Sequence, residues 1–120
     1  LEPAIASISK QFPALLLTGP RQVGKTTLLQ HAAGADRRYL SLDDPSLREL
    51  ARHDPGLFLD RFPAPLLIDE IQYAPALLPL LKLRIDAERR PGAYWLTGAQ
   101  QFHLMQGVSE SLAGRVAVLN

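Results

Sequence analysis

Apolar positions along this chain fall into short continuous runs, and those runs alternate with stretches in which they recur at helical spacing. Ala14-Leu15-Leu16-Leu17-Thr18 and Pro65-Leu66-Leu67-Ile68-Asp69 read as strands buried on both faces. Residues 37–42 (Arg-Arg-Tyr-Leu-Ser-Leu), 93–98 (Ala-Tyr-Trp-Leu-Thr-Gly) and 116–119 (Val-Ala-Val-Leu) read as three more. Between them the pattern predicts a short amphipathic helix over 2–11, a helix over 25–33 and a shorter one over 55–62. Asp44 before Pro45 reads as an N-cap opening a helix through about Arg52. A long helix is expected from Pro75 to Arg90, with Leu77, Leu78, Leu80, Leu81 and Leu83 buried and Lys82, Arg84, Asp86 and Glu88 on its wetter side. Short helical pieces are expected around 99–106 and 108–113. Ten prolines punctuate the chain, mostly at element starts.

Strands alternating with helices in this way predict an α/β, three-layer α-β-α sandwich, with a parallel five-stranded sheet joined by right-handed crossovers. A ligand of such a sheet sits at the carboxyl ends of the strands. Two motifs point there. The first is Gly19-Pro20-Arg21-Gln22-Val23-Gly24-Lys25-Thr26, followed by Thr27, between the first strand and its helix. Gly19 and Gly24 let the backbone turn tightly and approach phosphates, and the loop amides and helix N-terminus aim at the anion. Lys25 is placed to reach the β- and γ-phosphates, and the Thr26 hydroxyl to ligate Mg²⁺. Arg21 reaches either phosphate or a neighbouring carboxylate. The second motif is Asp69-Glu70 at the end of its apolar strand. An Asp in this place is expected to hold Mg²⁺, and the Glu after it to orient or deprotonate an attacking water; two solvated residues closing a core strand are the other reading.

Composition narrows the picture. The 120 residues make one domain, 1–120, with 47% hydrophobic residues, a mean hydropathy of −0.01 and a formal net charge of +1. That charge offers no argument for nucleic acid or an anionic membrane as partner. The absence of cysteine excludes a disulfide framework and thiolate metal sites, and fits a reducing cytoplasm. No apolar run has the length of a membrane span. His31, His53 and His103 have no metal-ligand spacing. Arg37-Arg38 and Arg89-Arg90 are basic pairs at element ends, the latter at the favourable end of a helix dipole. Trp95 reads as core. Asp43 and Asp44 either face the site or cap the next helix.

Taken together, these motifs resemble the AAA+ ATPase family, and within it a bacterial and archaeal branch. The resemblance rests on Gly19 to Thr27, on Asp69-Glu70-Ile71-Gln72, on Leu96-Thr97-Gly98-Ala99-Gln100-Gln101-Phe102 and on Ser109-Glu110-Ser111-Leu112-Ala113-Gly114-Arg115. It implies a P-loop NTPase fold with strand order 5-1-4-3-2. It implies ATP and Mg²⁺ as ligands, held by the loop from Gly19 to Thr27 with Lys25 and Thr26, and by Asp69 at the metal. Glu70 is the catalytic base it implies, and Thr97, or alternatively Gln100, the residue that helps place water. Arg115 lies where the family keeps an arginine finger acting on a neighbouring subunit of a homo-oligomer; a plain surface arginine opening a strand is the other reading. Ala99 departs from the branch, which has Ser there. The chain starts at Leu1 and stops at Asn120, just after the last strand. The expectation is therefore a fragment without the family's small helical lid, its sensor 2 arginine and a further C-terminal domain.

ATP hydrolysis competes with a second class, a nucleotide-binding switch without turnover. Guanine selection through an Asn-Lys-x-Asp loop is excluded, because the only asparagine is Asn120. A small-molecule kinase finds no acceptor site in the pattern.

Overall fold

The computed structural model describes residues 2–19, 23–33 and 36–119, with side chains at all of these except 2, 3, 23–26 and 28. Helix α1 (Glu2–Ser9) leads into β1 (Ala14–Thr18), α2 (Val23–Ala33) and β2 (Arg38–Ser41). Then come α3 (Pro45–His53), α4 (Pro55–Arg61), β3 (Leu66–Asp69) and a single 3₁₀ turn (Ile71–Tyr73). The chain continues through α5 (Leu77–Ala87), β4 (Tyr94–Gly98), α6 (Phe102–Leu112) and β5 (Val116–Leu119).

All strand pairs are parallel, and the order across the sheet is β2-β3-β4-β1-β5. This is the expected 5-1-4-3-2 arrangement read from the other edge. Registers such as Ser41↔Asp69 and Leu17↔Thr97 bring the carboxyl ends of neighbouring strands level.

The apolar runs are explained by burial on both faces. Leu16, Leu40, Leu66, Ile68, Tyr94 and Leu96 belong to one core cluster, with Phe58, Leu78, Leu81 and Leu104 from the helices α4, α5 and α6. Their neighbours in sequence, Leu15, Leu17, Leu67 and Trp95, form a second cluster with Ile5 of α1 and Leu29 of α2. Each fully buried leucine contributes about 1.5–3 kcal/mol relative to exposure, so the two clusters together fix which way every strand faces. No β2 residue belongs to the second cluster.

Three expectations are corrected. The long helix is α5, Leu77–Ala87, and not 75–90, so Arg89 and Arg90 lie beyond its end instead of in its last turn. Within α5, Leu83 is 61% exposed, while Lys82 and Arg84 are half-buried. Arg84 bonds Asp60 at 2.7 Å and the Gly56 carbonyl at 3.1 Å, and that tie to α4 claims its face of the helix. The two pieces expected around 99–106 and 108–113 are one helix, α6. Gly107, which suggests a break by propensity, sits mid-helix where an added Cβ would lie 3.0 Å from Leu78 Cδ1. It marks close packing on α5, not a helix end. Asp44 is the N-cap of α3, its side chain accepting from the Ser46 N–H at 2.8 Å. Among the described residues, no helix is long and apolar enough to cross a membrane.

Candidate functional site

The residues ending β1, β3 and β4 gather at one edge of the sheet. They include Thr18, Asp69, Glu70 and Thr97, and these four are the buried polar or charged residues among those described. Burying such groups costs free energy unless they are hydrogen-bonded, and here they bond to one another, to the backbone and to neighbouring side chains. Thr18 donates its hydroxyl to the Leu119 carbonyl at 3.3 Å, tying β1 to β5. The next residue, Gly19, has φ 131°, a backbone conformation that a β-carbon disfavours. This is where the phosphate-loop motif begins. Pro20, Arg21 and Gln22 lie outside the described residues, as do the side chains of Val23, Lys25 and Thr26. From Val23 onward the backbone is helical, so Gly24, Lys25, Thr26 and Thr27 lie in the opening turns of α2, and the Thr27 side chain is exposed.

Thr97 is the hub. β4 lies between β1 and β3, so its last side chains reach the carboxylates of β3. The Thr97 hydroxyl donates to Asp69 Oδ1 and accepts the Glu70 backbone N–H at 3.0 Å. One hydroxyl therefore fixes both the Asp side chain and the backbone carrying the Glu. Glu70 itself has φ 64° and ψ 51°, left-handed geometry that costs a non-glycine residue about 1–2 kcal/mol. That conformation ends the strand and turns the chain into the 3₁₀ turn. Gln72, in that turn, donates Nε2–H to Glu70 Oε1 at 2.7 Å, and its Oε1 accepts the Ala99 N–H at 3.2 Å. Position 99 thus contributes a backbone amide, and its side chain is not needed for the link. Gln100, the alternative to Thr97, is exposed.

Asp69 is also held from β2. Tyr39 donates its hydroxyl to Asp69 Oδ2 at 2.9 Å, and Ser41 Oγ lies 3.4 Å from the same oxygen. Burial, followed by the hydrogen bond to Asp69, pushes the Tyr39 hydroxyl up to about 12, so it is a donor at neutral pH. Asp43 completes the cluster: carboxylate oxygens of Asp43, Asp69 and Glu70 lie within 4.8 Å of one another. An all-oxygen, multiply anionic set of this kind suits a hard divalent cation such as Mg²⁺. Of the two aspartates in question, Asp43 faces the site and Asp44 caps the helix.

Arg115 is placed elsewhere. It precedes β5, at the amino end of the sheet, and its guanidinium grips Asp86 through Nε at 2.7 Å and Nη2 at 3.0 Å. Arg89 donates to the nearby Gly114 carbonyl at 3.1 Å. Arg37 stacks on the Trp95 ring at 4.0 Å, and Arg38 lies over Phe62 at 5.4 Å. Burial and the nearby Arg90 charge push the Arg37 guanidinium down to about 10. His53 pairs with Glu49 on the surface. A hollow of about 240 Å³ beside Arg84, Glu88 and Tyr94 is also at the amino end, away from the carboxylates.

Tyr39, Ser41 and Gln72 carry no role in the sequence reading. A period-two pattern on β2 puts Tyr39 and Ser41 on the same face as each other, but only the pairing of β2 with β3 reveals that this face meets Asp69.

Comparison with known proteins agrees with this fold. The family model described as AAA domain matches residues 11–120. Uncharacterized proteins of Mycobacterium tuberculosis and Mycobacterium bovis are each 37% identical over 108 residues, covering 89% of this chain and 24% of the relative. The chain therefore spans about a quarter of the length of the curated relatives it matches.

Proposed function

The chain belongs to the AAA domain family, and from that premise we propose that it binds ATP with Mg²⁺ at the carboxyl ends of its strands and hydrolyses the γ-phosphate. The observation that carries this reading is the bridge made by Thr97, one buried hydroxyl bonded to both the Asp69 carboxylate and the Glu70 backbone. A solvated pair of acids closing a core strand has no need of such a bridge. Pinning both residues from the strand next to the phosphate-loop strand is what water activation requires.

In this reading the loop from Gly19 to Thr27 wraps the phosphates with its amides, and Lys25 neutralises charge on the β- and γ-groups. Thr26 and Asp69 would hold Mg²⁺, with Asp43 nearby; when bound, the ion offsets phosphate charge as the transferred group separates. Glu70 orients a water for in-line attack on the γ-phosphorus and takes its proton as the bond to the β–γ bridging oxygen breaks, releasing ADP. Thr97 keeps the base and the metal-holding carboxylate in register. Arg115 enters only as a finger offered to a neighbouring subunit, since it lies at the far end of its own chain's sheet.

A nucleotide-binding switch without turnover is the second reading. It is favoured by the Gln72 amide, which occupies Glu70 Oε1 and links it to the segment after β4.

A thermal-shift titration with Mg·ATP, beside Lys25→Ala, tests the site. At a hundredfold excess over Kd, binding adds about 2.7 kcal/mol to wild-type stability. That shift is absent from the variant. A wild-type melt indifferent to Mg·ATP refutes the reading. Turnover that vanishes in Glu70→Gln then separates the ATPase from the switch.

A further inference from the structure

Asp69 is gripped from both of its neighbouring strands. β3 lies between β2 and β4, and each supplies a hydroxyl to a different oxygen: Thr97 from β4 to Oδ1, Tyr39 from β2 to Oδ2 at 2.9 Å. Two charge-assisted hydrogen bonds arriving from opposite sides resist rotation of the carboxylate about its Cβ–Cγ bond. Ser41 Oγ, 3.4 Å from Oδ2, also accepts the Asp43 N–H at 3.1 Å, so the end of β2 is ordered around the same carboxylate. A carboxylate accepts at about four lone-pair positions, so being held in this way is compatible with ligating a cation.

The tyrosine is not explained by packing. The residue is 36% exposed, and no β2 residue joins the apolar cluster on that face of the sheet. In the register Arg38↔Leu66 to Ser41↔Asp69, the residue level with Asp69 is Ser41, and Tyr39 lies two positions back. From there only a long side chain ending in a donor reaches Oδ2. The hydroxyl, not the ring, accounts for the residue.

We propose that Tyr39 is a positioning residue, whose hydroxyl sets the direction of the Asp69 carboxylate and so strengthens the metal-dependent part of nucleotide binding. It acts through Asp69 and not by contact with the nucleotide. This rests on the Mg·ATP reading of the site. Partners that orient a metal-holding side chain in this manner are worth about 10- to 100-fold in metal affinity.

The test is calorimetric titration of ATP in excess EDTA and across a MgCl₂ series, for wild type, Tyr39→Phe and Lys25→Ala. Tyr39→Phe keeps the ring and removes one hydroxyl. It is expected to match wild type in EDTA and to need at least about tenfold more Mg²⁺ for the same gain in ATP affinity. A full Mg²⁺ enhancement in the Phe variant overturns the proposal. So does a loss of ATP binding that is equal with and without Mg²⁺, because the hydroxyl would then serve the fold or the nucleotide directly. ATP binding absent from wild type, or indifferent to Lys25→Ala, refutes the Mg·ATP reading itself, and it shows before any Tyr39 variant is compared. A second measurement needs no folded variant for its main readout. In wild type labelled with 3-fluorotyrosine, the three tyrosines give three ¹⁹F signals, and that of Tyr39 moves when Mg²⁺ is added to the ATP complex. Three signals unmoved by Mg²⁺ would also overturn the proposal.

Discussion

The two ends of the sheet treat charge in opposite ways. At the carboxyl end Asp69 and Glu70 are drawn into the protein, to 5% and 8% exposure, and the described residues Thr97, Tyr39 and Gln72 bond them through hydroxyl and amide donors. At the amino end, by contrast, the charge of Arg115 meets the opposite charge of Asp86 at the surface. The second arrangement is ordinary surface chemistry, worth little to stability. The first costs desolvation, which the fold offsets with a network of hydroxyls and amides placed on separate strands. Acids buried and held in one orientation by hydroxyls and amides from separate elements mark the carboxyl end as the candidate site.

Four substitutions break or sharpen that contrast. The largest effect is expected from Glu70→Gln, which removes the proposed base and keeps the shape. ATP turnover should fall at least about a hundredfold while Mg·ATP binding persists, measured by phosphate release beside calorimetry. Thr97→Val comes next. It strands the Glu70 N–H and one Asp69 oxygen in a buried place, and a denaturant titration should show a loss of about 2–3 kcal/mol. An equal-sized valine that costs nothing would mean the bridge is incidental. Gly98→Ala tests the close approach beneath the network, since its Cβ would lie 2.8 Å from Leu104 Cδ2 and 3.2 Å from Gln72 Oε1. About 1–3 kcal/mol of destabilisation is expected from that overpacking.

The amino end should respond least. Arg115 holds the Asp86 carboxyl below its ordinary value of 3.8, chiefly through their hydrogen bonds. A depressed value in the fold means that the pair's contribution is present above 3.8 and is lost as pH falls through the lower, folded value. Asp86→Asn should therefore melt only slightly below wild type at neutral pH, and the gap should close in acid. A gap that stays constant down to that range would show that the pairing is not what Asp86 contributes.

Much of the architecture was legible in the chain because strands buried on both faces leave continuous apolar runs. Ala14–Thr18 and Leu66–Asp69 are such runs, and the structure bounds them within a residue of the reading. Helix ends were harder. A Pro75 start and an Arg90 stop follow from local preference, yet α5 is shorter at both ends, and α6 runs through Gly107 because α5 packs close against it. The exposure of Leu83 likewise follows from Arg84 reaching α4, a contact between segments distant in sequence.

The site divides along the same line. Asp69, Glu70 and the segment from Gly19 to Thr27 are contiguous motifs, so adjacent residue types single them out as candidates with no fold at all. Thr97 was reachable through its block. Tyr39, Ser41 and Gln72 were not, since a tyrosine and a serine on an edge strand look like any others until β2 is laid beside β3. By itself the sequence determined which groups would bear charge and which segments would be buried, because both are properties of local composition. Only the tertiary structure decided which neutral donors would hold those charges, because hydrogen bonds between strands depend on strand order and register. Those are settled by packing helices onto two faces of one sheet.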